Sequence, residues 1–519
     1  MIKILTFAYF SVTLYFQYII TDSIGFLLFV PKNKTLYMFL ANLADRLFYI
    51  PPEARERALD RINRSKPVEE DGFHFYALPH EKEERYKWLK QPVALQFHYH
   101  GRLYKYHGER TAGVFELFLD LLYVAIISQF SSTVAENPDT IHLVKYVIIF
   151  LHAYQIWHDL REIFNSFYTD DILQRALILV VMAFMVIFAN NAAKIGDDDT
   201  PDETSFYTAV AAYQLVHFIL IANWFFYSLF ITEHLIRMRL MGIVNAVSFL
   251  VRMGLLFVGW RGRIILAITA LAIERGFWFY LYSPYFRSHV DSEFSTAVNI
   301  EHESDRMTAL FIIVLGEFLN AIVVGAPASD GLTSRSLRAV LILVIAFTLN
   351  WIYVTNDASN RPVHPLRRSA VSAILWFWLH EPLCAVLVLS GDIAAEFTKE
   401  SHIDHRALQW VFSESIAIGL FCLWALSMCF KSREVLSFSK PLRMGLRLVD
   451  VVAIGLLPLT EWSTTTHLEV ITGLLIVTVV WESYTSVPCH SLDAVNLQTN
   501  ETTALLTDGL RNSTIETAE

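Results

Sequence analysis

The stretch FELFLDLLYVAIISQF, Phe115 to Phe130, decides how the chain is read. It is an apolar run that carries two carboxylates, Glu116 and Asp120, four residues apart near its start. On a helix these two fall with Tyr123, Ile127 and Ser131 within about 60° of one meridian, because each residue turns the helix by about 100°. The other faces are Leu, Phe, Val and Ile. Such a helix has to turn its polar stripe toward other helices or a wet cavity rather than toward lipid. Each ionised carboxylate at mid-bilayer costs about 2.5–3.5 kcal/mol on insertion scales, and two at i,i+4 repel each other. A cation beside them, or a proton on one of them, is therefore expected.

The rest of the 519-residue chain is built the same way. Hydrophobic residues make up 54% and charged residues 18%, with 38 Phe, 22 Tyr and 12 Trp, and the apolar residues are concentrated in blocks of about 20 rather than in amphipathic stripes. This composition implies an all-α polytopic transmembrane helical bundle of about twelve spans. A spanning barrel is excluded, because its strands would alternate in polarity over short segments. The net charge of −10 is spread over loops and a polar tail, and no basic stripe points to nucleic acid. Cys384, Cys422, Cys429 and Cys489 lack the spacing of a disulfide framework or zinc knuckle and read as small core residues.

Four regions are expected. Residues 1–30 read as a signal anchor or interfacial helix. Residues 31–110 read as a basic, aromatic cytoplasmic segment, with ARERALDRINRSK and HEKEERYKWLK as amphipathic surface helices. Residues 111–485 are the bundle, and 486–519 a disordered polar tail. Basic loops recur at alternate positions, which places both ends of an even number of spans on the cytoplasmic side; Arg261, Arg263, Lys399 and Arg406 dissent. The tail holds ETTALL (501–506), similar to an acidic dileucine signal for endosomal or vacuolar sorting. The acceptor triplets at Asn500 and Asn512 would instead need a lumenal tail. A faint echo between FNSFYTDD (164–171) and LNWIYVTND (349–357) fits two six-helix halves of the same orientation.

Further charged residues lie inside apolar segments. Arg252 and Arg275 are the candidate counter-ions for the buried acids. Glu317 shares a stripe with Arg306, with Asn320 nearby and Gly316 allowing close helix approach, and His380 precedes Glu381 and Pro382. Glu116, Asp120, Glu317 and His380 are the candidates for an ion or proton pathway, weighed against simple charge pairing that fixes helix register. Motifs for hydrolytic or nucleotide chemistry are missing from the sequence, and HIDH (402–405) and IEHESDR (300–306) read as ordinary polar segments, so no metal or cofactor is expected. The partners expected are the lipid bilayer and an ion or small solute.

Taken together, FELFLDL, the segment ending in YTDD, EHESDRMTALFIIVLGE and LHEPL resemble the low temperature requirement protein A family of multi-pass membrane proteins, in order from about Arg110 to Gly391. The resemblance carries the family's acidic motif onto Glu116 and Asp120, its H-x-x-E-R motif onto His302, Asp305 and Arg306, its LGE glutamate onto Glu317 and its later histidine onto His380. Asp305 replaces a glutamate, Leu119 stands where Phe is common, and Glu381 intrudes into H-x-P-L. The resemblance implies a helical membrane fold and no particular substrate. A transporter or channel-like protein of the plasma or an endosomal or vacuolar membrane is the leading expectation. A lipid-modifying membrane enzyme using His302, Asp305 and His380, or a non-catalytic scaffold, are the alternatives.

Overall fold

In the computed structural model, the residues described are 52–70, 73–79, 90–106, 110–195, 203–289, 293–324, 331–359, 362–398, 405–432, 436 and 438–486. The N-terminal anchor segment, most of HEKEERYKWLK, residues 402–404 of HIDH, and the tail with its sorting and acceptor sequences lie outside these.

After a surface helix α1 (Pro52–Asn63) come four strands, β1 (Lys66–Glu70), β2 (Phe73–Leu78), β3 (Gln96–Tyr99) and β4 (Arg102–Tyr106). Twelve long helices follow: α2 (Val114–Glu136), α3 (Thr140–Phe167), α4 (Ile172–Ala192), α5 (Glu203–Ser228), α6 (Leu235–Met253), α7 (Trp260–Tyr282), α8 (Ile300–Val323), α9 (Ser334–Thr355), α10 (Ala370–Thr398), α11 (His405–Cys429), α12 (Lys440–Leu456) and α13 (Thr464–Thr485). Among the described residues, each apolar block of the sequence coincides with one of them. Ten are long and apolar enough to cross a membrane. The two that are not, α3 and α12, carry their charges inward: Asp159, Arg161 and Glu162 on α3, and Arg443, Arg447 and Asp450 on α12, are all buried. Cys384, Cys422 and Cys429 are buried and unpaired, as small core residues would be.

α2 lies at the centre, packed against α3, α4, α8 and α10. Its first turn needs Gly113, because a Cβ there would meet the Tyr168 hydroxyl at 2.6 Å. The close approach of α8 and α10 rests on Gly391, where a Cβ would sit 2.9 Å from the Glu317 Cβ. Gly316, the residue singled out for this in the sequence, faces open space.

The described part of the 31–110 region adds strands to the surface helix read from the sequence. α1 forms as expected, but the segment after it builds a five-stranded sheet of order β1-β2-β4-β3-β5, in which β5 (Phe294–Thr296) comes from the connection between α7 and α8. This sheet caps the end of the bundle that carries the basic loops. Arg61 pairs with Glu233 at 3.2 Å and reaches the Ala94 carbonyl at 2.7 Å, and Leu95 N–H donates to the Ser166 carbonyl. His234 is the pivot. Its Nε2 donates to the Gln96 carbonyl at 3.1 Å, its Nδ1 accepts from the Thr296 hydroxyl at 3.0 Å, and its ring packs edge-on against Phe167.

Burial holds the His234 imidazole down to about 4, so the docked sheet requires it neutral. A detached His234 regains an ordinary value near 6.5 and takes a proton more readily. Docking is therefore at full strength above pH 6.5 and weakens as pH falls toward 4, by on the order of 2 kcal/mol at pH 5. Hydrogen exchange at β3 and β5, corrected for intrinsic rates, should accelerate between pH 7 and pH 5 in the native protein. In His234→Gln the acceleration should be absent.

Candidate functional site

The two carboxylates of the opening helix meet cations at once, and the partner is Arg306. Its two terminal nitrogens donate to Glu116 Oε2 at 2.9 Å and Asp120 Oδ1 at 2.6 Å. One turn earlier on α8, His302 Nε2 donates to the same Glu116 oxygen at 2.9 Å, while its Nδ1 faces the Asn165 amide at 3.2 Å. Trp157 of α3 donates its indole N–H to Asp120 Oδ1 at 2.7 Å and lies under the Arg306 guanidinium. The other Glu116 oxygen accepts from Gly113 N–H at 3.3 Å and Arg110 at 3.5 Å. Glu116, Asp120, His302 and Arg306 are all fully buried. The spacing explains the fit: acids at i,i+4 on α2 face His and Arg at i,i+4 on α8.

Arg252 and Arg275 do act as counter-ions, but for other acids. Arg252 holds Glu274 through two bonds of 2.7 and 2.6 Å, with His217 alongside at 3.2 Å. Arg275 holds Glu381. Three further buried pairs lie in the bundle: Arg161 with Glu303, Arg237 with Glu162, and Arg447 with Glu482. Of the family motif, His302 and Arg306 enter the lock, whereas Asp305 is exposed and Glu303, two residues earlier, is the buried acid.

His380 is fully buried between Trp376 and Tyr353. Its Nδ1 donates to the Trp376 carbonyl at 2.7 Å and its Nε2 accepts from the Tyr353 hydroxyl at 3.1 Å. Glu317 stands apart from the lock. It is half-buried three turns along α8 from Arg306, on the Ser128 hydroxyl at 3.3 Å, and the same hydroxyl lies 3.1 Å from Asp392 of α10. Ser131 donates to the second Asp392 oxygen. Asp392 is not among the residues singled out from the sequence: it follows the apolar run in a stretch of small residues, yet α10 continues through it to Thr398. No cluster of three or more His, Cys, Asp or Glu side chains fit for a metal ion occurs among the described residues.

An apolar helical bundle with its charges folded inward defines a multi-pass integral membrane protein. Residues 111–481 match the family described as bacterial low temperature requirement A protein, and the chain belongs to that family. No curated protein and no solved structure matches the chain.

Breaking the lock on one side leaves a buried charge without its partner. Arg306→Met is expected to lose about 3–5 kcal/mol, seen as a lowered melting temperature in detergent. Glu116→Gln, Asp120→Asn and Arg306→Met together should recover most of that loss, since neutralising a whole buried set is often nearly neutral for stability.

Proposed function

We propose that the chain is a transporter or channel-like protein that moves protons or small cations, with Glu317 and Asp392 as its exchange site. The observation that carries this reading is the meeting of two carboxylates from α8 and α10 on one hydroxyl of α2, inside helices that cross the membrane. One hydroxyl hydrogen serves only one of them at a time. Two anions held this close repel, and a proton or small cation joining them relieves the repulsion. Glu317 is only partly buried, whereas Glu116 and Asp120 are sealed by Arg306. Glu116 and Asp120 therefore set helix register beside the pathway, and Glu317 belongs to the pathway itself.

The lipid-enzyme alternative has less support. Both ring nitrogens of His302 and of His380 are engaged within the protein, and Asp305 points away from His302 to the exposed surface. Neither histidine offers a free nitrogen to a substrate.

The test is flux in proteoliposomes made with the full chain, driven by a proton, sodium or potassium gradient. Glu317→Gln and Asp392→Asn should each lower the flux at least about tenfold, the factor that roughly 1.4 kcal/mol of lost stabilisation gives. Glu301→Gln, in an exposed pair with Arg367, should leave it unchanged. Flux no greater than in protein-free vesicles across all three gradients would overturn the reading.

A further inference from the structure

Glycine in a helix interior costs about 0.5–1 kcal/mol relative to alanine, so its presence there calls for a reason. Two glycines stand beside the acids of the exchange site: Gly316 immediately before Glu317 on α8, and Gly391 immediately before Asp392 on α10. Neither has a positive φ, so backbone conformation requires glycine at neither position. Space distinguishes them. A Cβ at 316 would meet nothing within 4 Å, whereas one at 391 would lie 2.9 Å from the Glu317 Cβ, 3.2 Å from the Glu317 carbonyl carbon and 3.3 Å from the Phe318 nitrogen. Two of those three atoms are backbone, and turning a side chain cannot make room for them. At Gly391, α10 therefore rests directly on the backbone of α8.

That contact lies at the level of the two acids. Glu317 is part of it, and Asp392 is the next residue in the chain. Both acids reach the Ser128 hydroxyl of α2, Glu317 Oε2 at 3.3 Å and Asp392 Oδ1 at 3.1 Å. Ser131, one turn further along α2, holds the second Asp392 oxygen, so the Asp392 carboxylate is tied at both ends. Three oxygens from three helices thus meet at Ser128, and the distance between the helices sets how far apart the acids stand. Carboxylate and hydroxyl oxygens suit a hard cation, and the size admitted depends on the spacing and stiffness of the donors.

We propose that Gly391 is the positioning residue that sets ion size at the exchange site, holding Glu317 and Asp392 close enough for sodium and too close for potassium. The inference rests on the transport reading and adds to it a substrate class and the residue that selects it. With Gly391→Ala the two helices have to part by roughly half an ångström or more to restore an ordinary carbon–carbon contact of about 3.5–4.0 Å. The gap between the acids widens without any change of charge.

The experiment measures flux in proteoliposomes of the full chain under a sodium gradient and an equal potassium gradient at one pH, with a proton gradient run alongside. The native protein should move sodium at least about fivefold faster than potassium, equivalent to about 1 kcal/mol of preference. Gly391→Ala should bring that ratio close to one and should melt below Gly316→Ala. Gly316→Ala, which adds the same methyl group into open space, should keep the native ratio. If Gly391→Ala does not accumulate, Asp392→Glu decides: its carboxylate reaches one methylene further across the gap and should raise the ratio, and an unchanged or lower ratio would overturn the inference. So would a native protein that does not favour sodium, or a Gly391→Ala that slows both ions equally, since a purely structural defect does that. Flux under a proton gradient alone would overturn the inference and leave the transport reading standing, whereas flux under none of the three gradients would end both.

Discussion

Arg306 is the residue on which the arrangement of the bundle turns. One guanidinium holds two carboxylates of α2, and the histidine one turn before it holds the first of them again. Neither helix is comfortable in a bilayer alone: α2 would carry two acids and α8 an arginine. Together they offset each other, provided the register is right. Sliding α8 by one turn would place Arg306 beyond one acid and leave the other uncompensated in a low-dielectric interior. The ladder of further pairs, Arg161 with Glu303, Arg252 with Glu274 and Arg275 with Glu381, fixes the neighbouring helices in the same way. Lipid supplies no hydrophobic force between apolar helices, so close packing and such polar contacts have to specify which helices meet.

The sheet belongs to the same construction. β5 is followed after three residues by Asn299, which caps α8. Asn299 and Asn165 bond reciprocally: the Asn165 amide donates to the Asn299 carbonyl, and Asn299 N–H donates to the Asn165 side-chain oxygen. The end of α3, the start of α8 and the edge of the sheet are thus tied at one point, a single turn from His302. Displacement of β5 would bear directly on the helix that carries the lock. Without transmembrane segments of its own, the sheet still governs where a transmembrane helix begins.

Much of this was legible in the residues themselves. Apolar block length located the helices, and the meridian through Glu116, Asp120, Tyr123, Ile127 and Ser131 identified a face that is indeed buried. The identity of the facing partner was not legible, because helical periodicity reports which side is polar and not which helix lies opposite. Arg306 is 190 residues from Glu116, and Arg252 and Arg275 looked equally available. The sheet was missed for a different reason. Its strands are short, and β2 pairs with β4 across an intervening charged segment, while β5 lies nearly 190 residues further along. Asp392 was lost to a boundary: Ser390, Gly391 and Asp392 look like a loop, yet the small residues serve the contact with Glu317 on α8 and the helix runs through them.

The faint internal echo gains weight from the lock. Glu116 and His302 are 186 residues apart, and so are Asp120 and Arg306. The same interval separates Asp170 from Asn356, two non-glycine residues with positive φ at the ends of α3 and α9, and Ser131 from Glu317. Two six-helix halves of like orientation, related by an axis along the membrane normal, would put equivalent positions at equal depth. Only residues facing the axis would meet their own equivalents. In such an arrangement Glu116 with His302 and Asp120 with Arg306 would be meetings of that kind, and the polar stripes of α2 and α8 would run along that axis. Had both halves kept acids there, four carboxylates would face one another. α8 presents His302 and Arg306 instead, so the two stripes meet with complementary charge. Farther along, Glu317 lies 186 residues after Ser131, but it meets the Ser128 hydroxyl, while Ser131 donates to Asp392 of α10. The contact of α2 with α8 therefore has a sealed, charge-matched end and an end rich in carboxylates and hydroxyls.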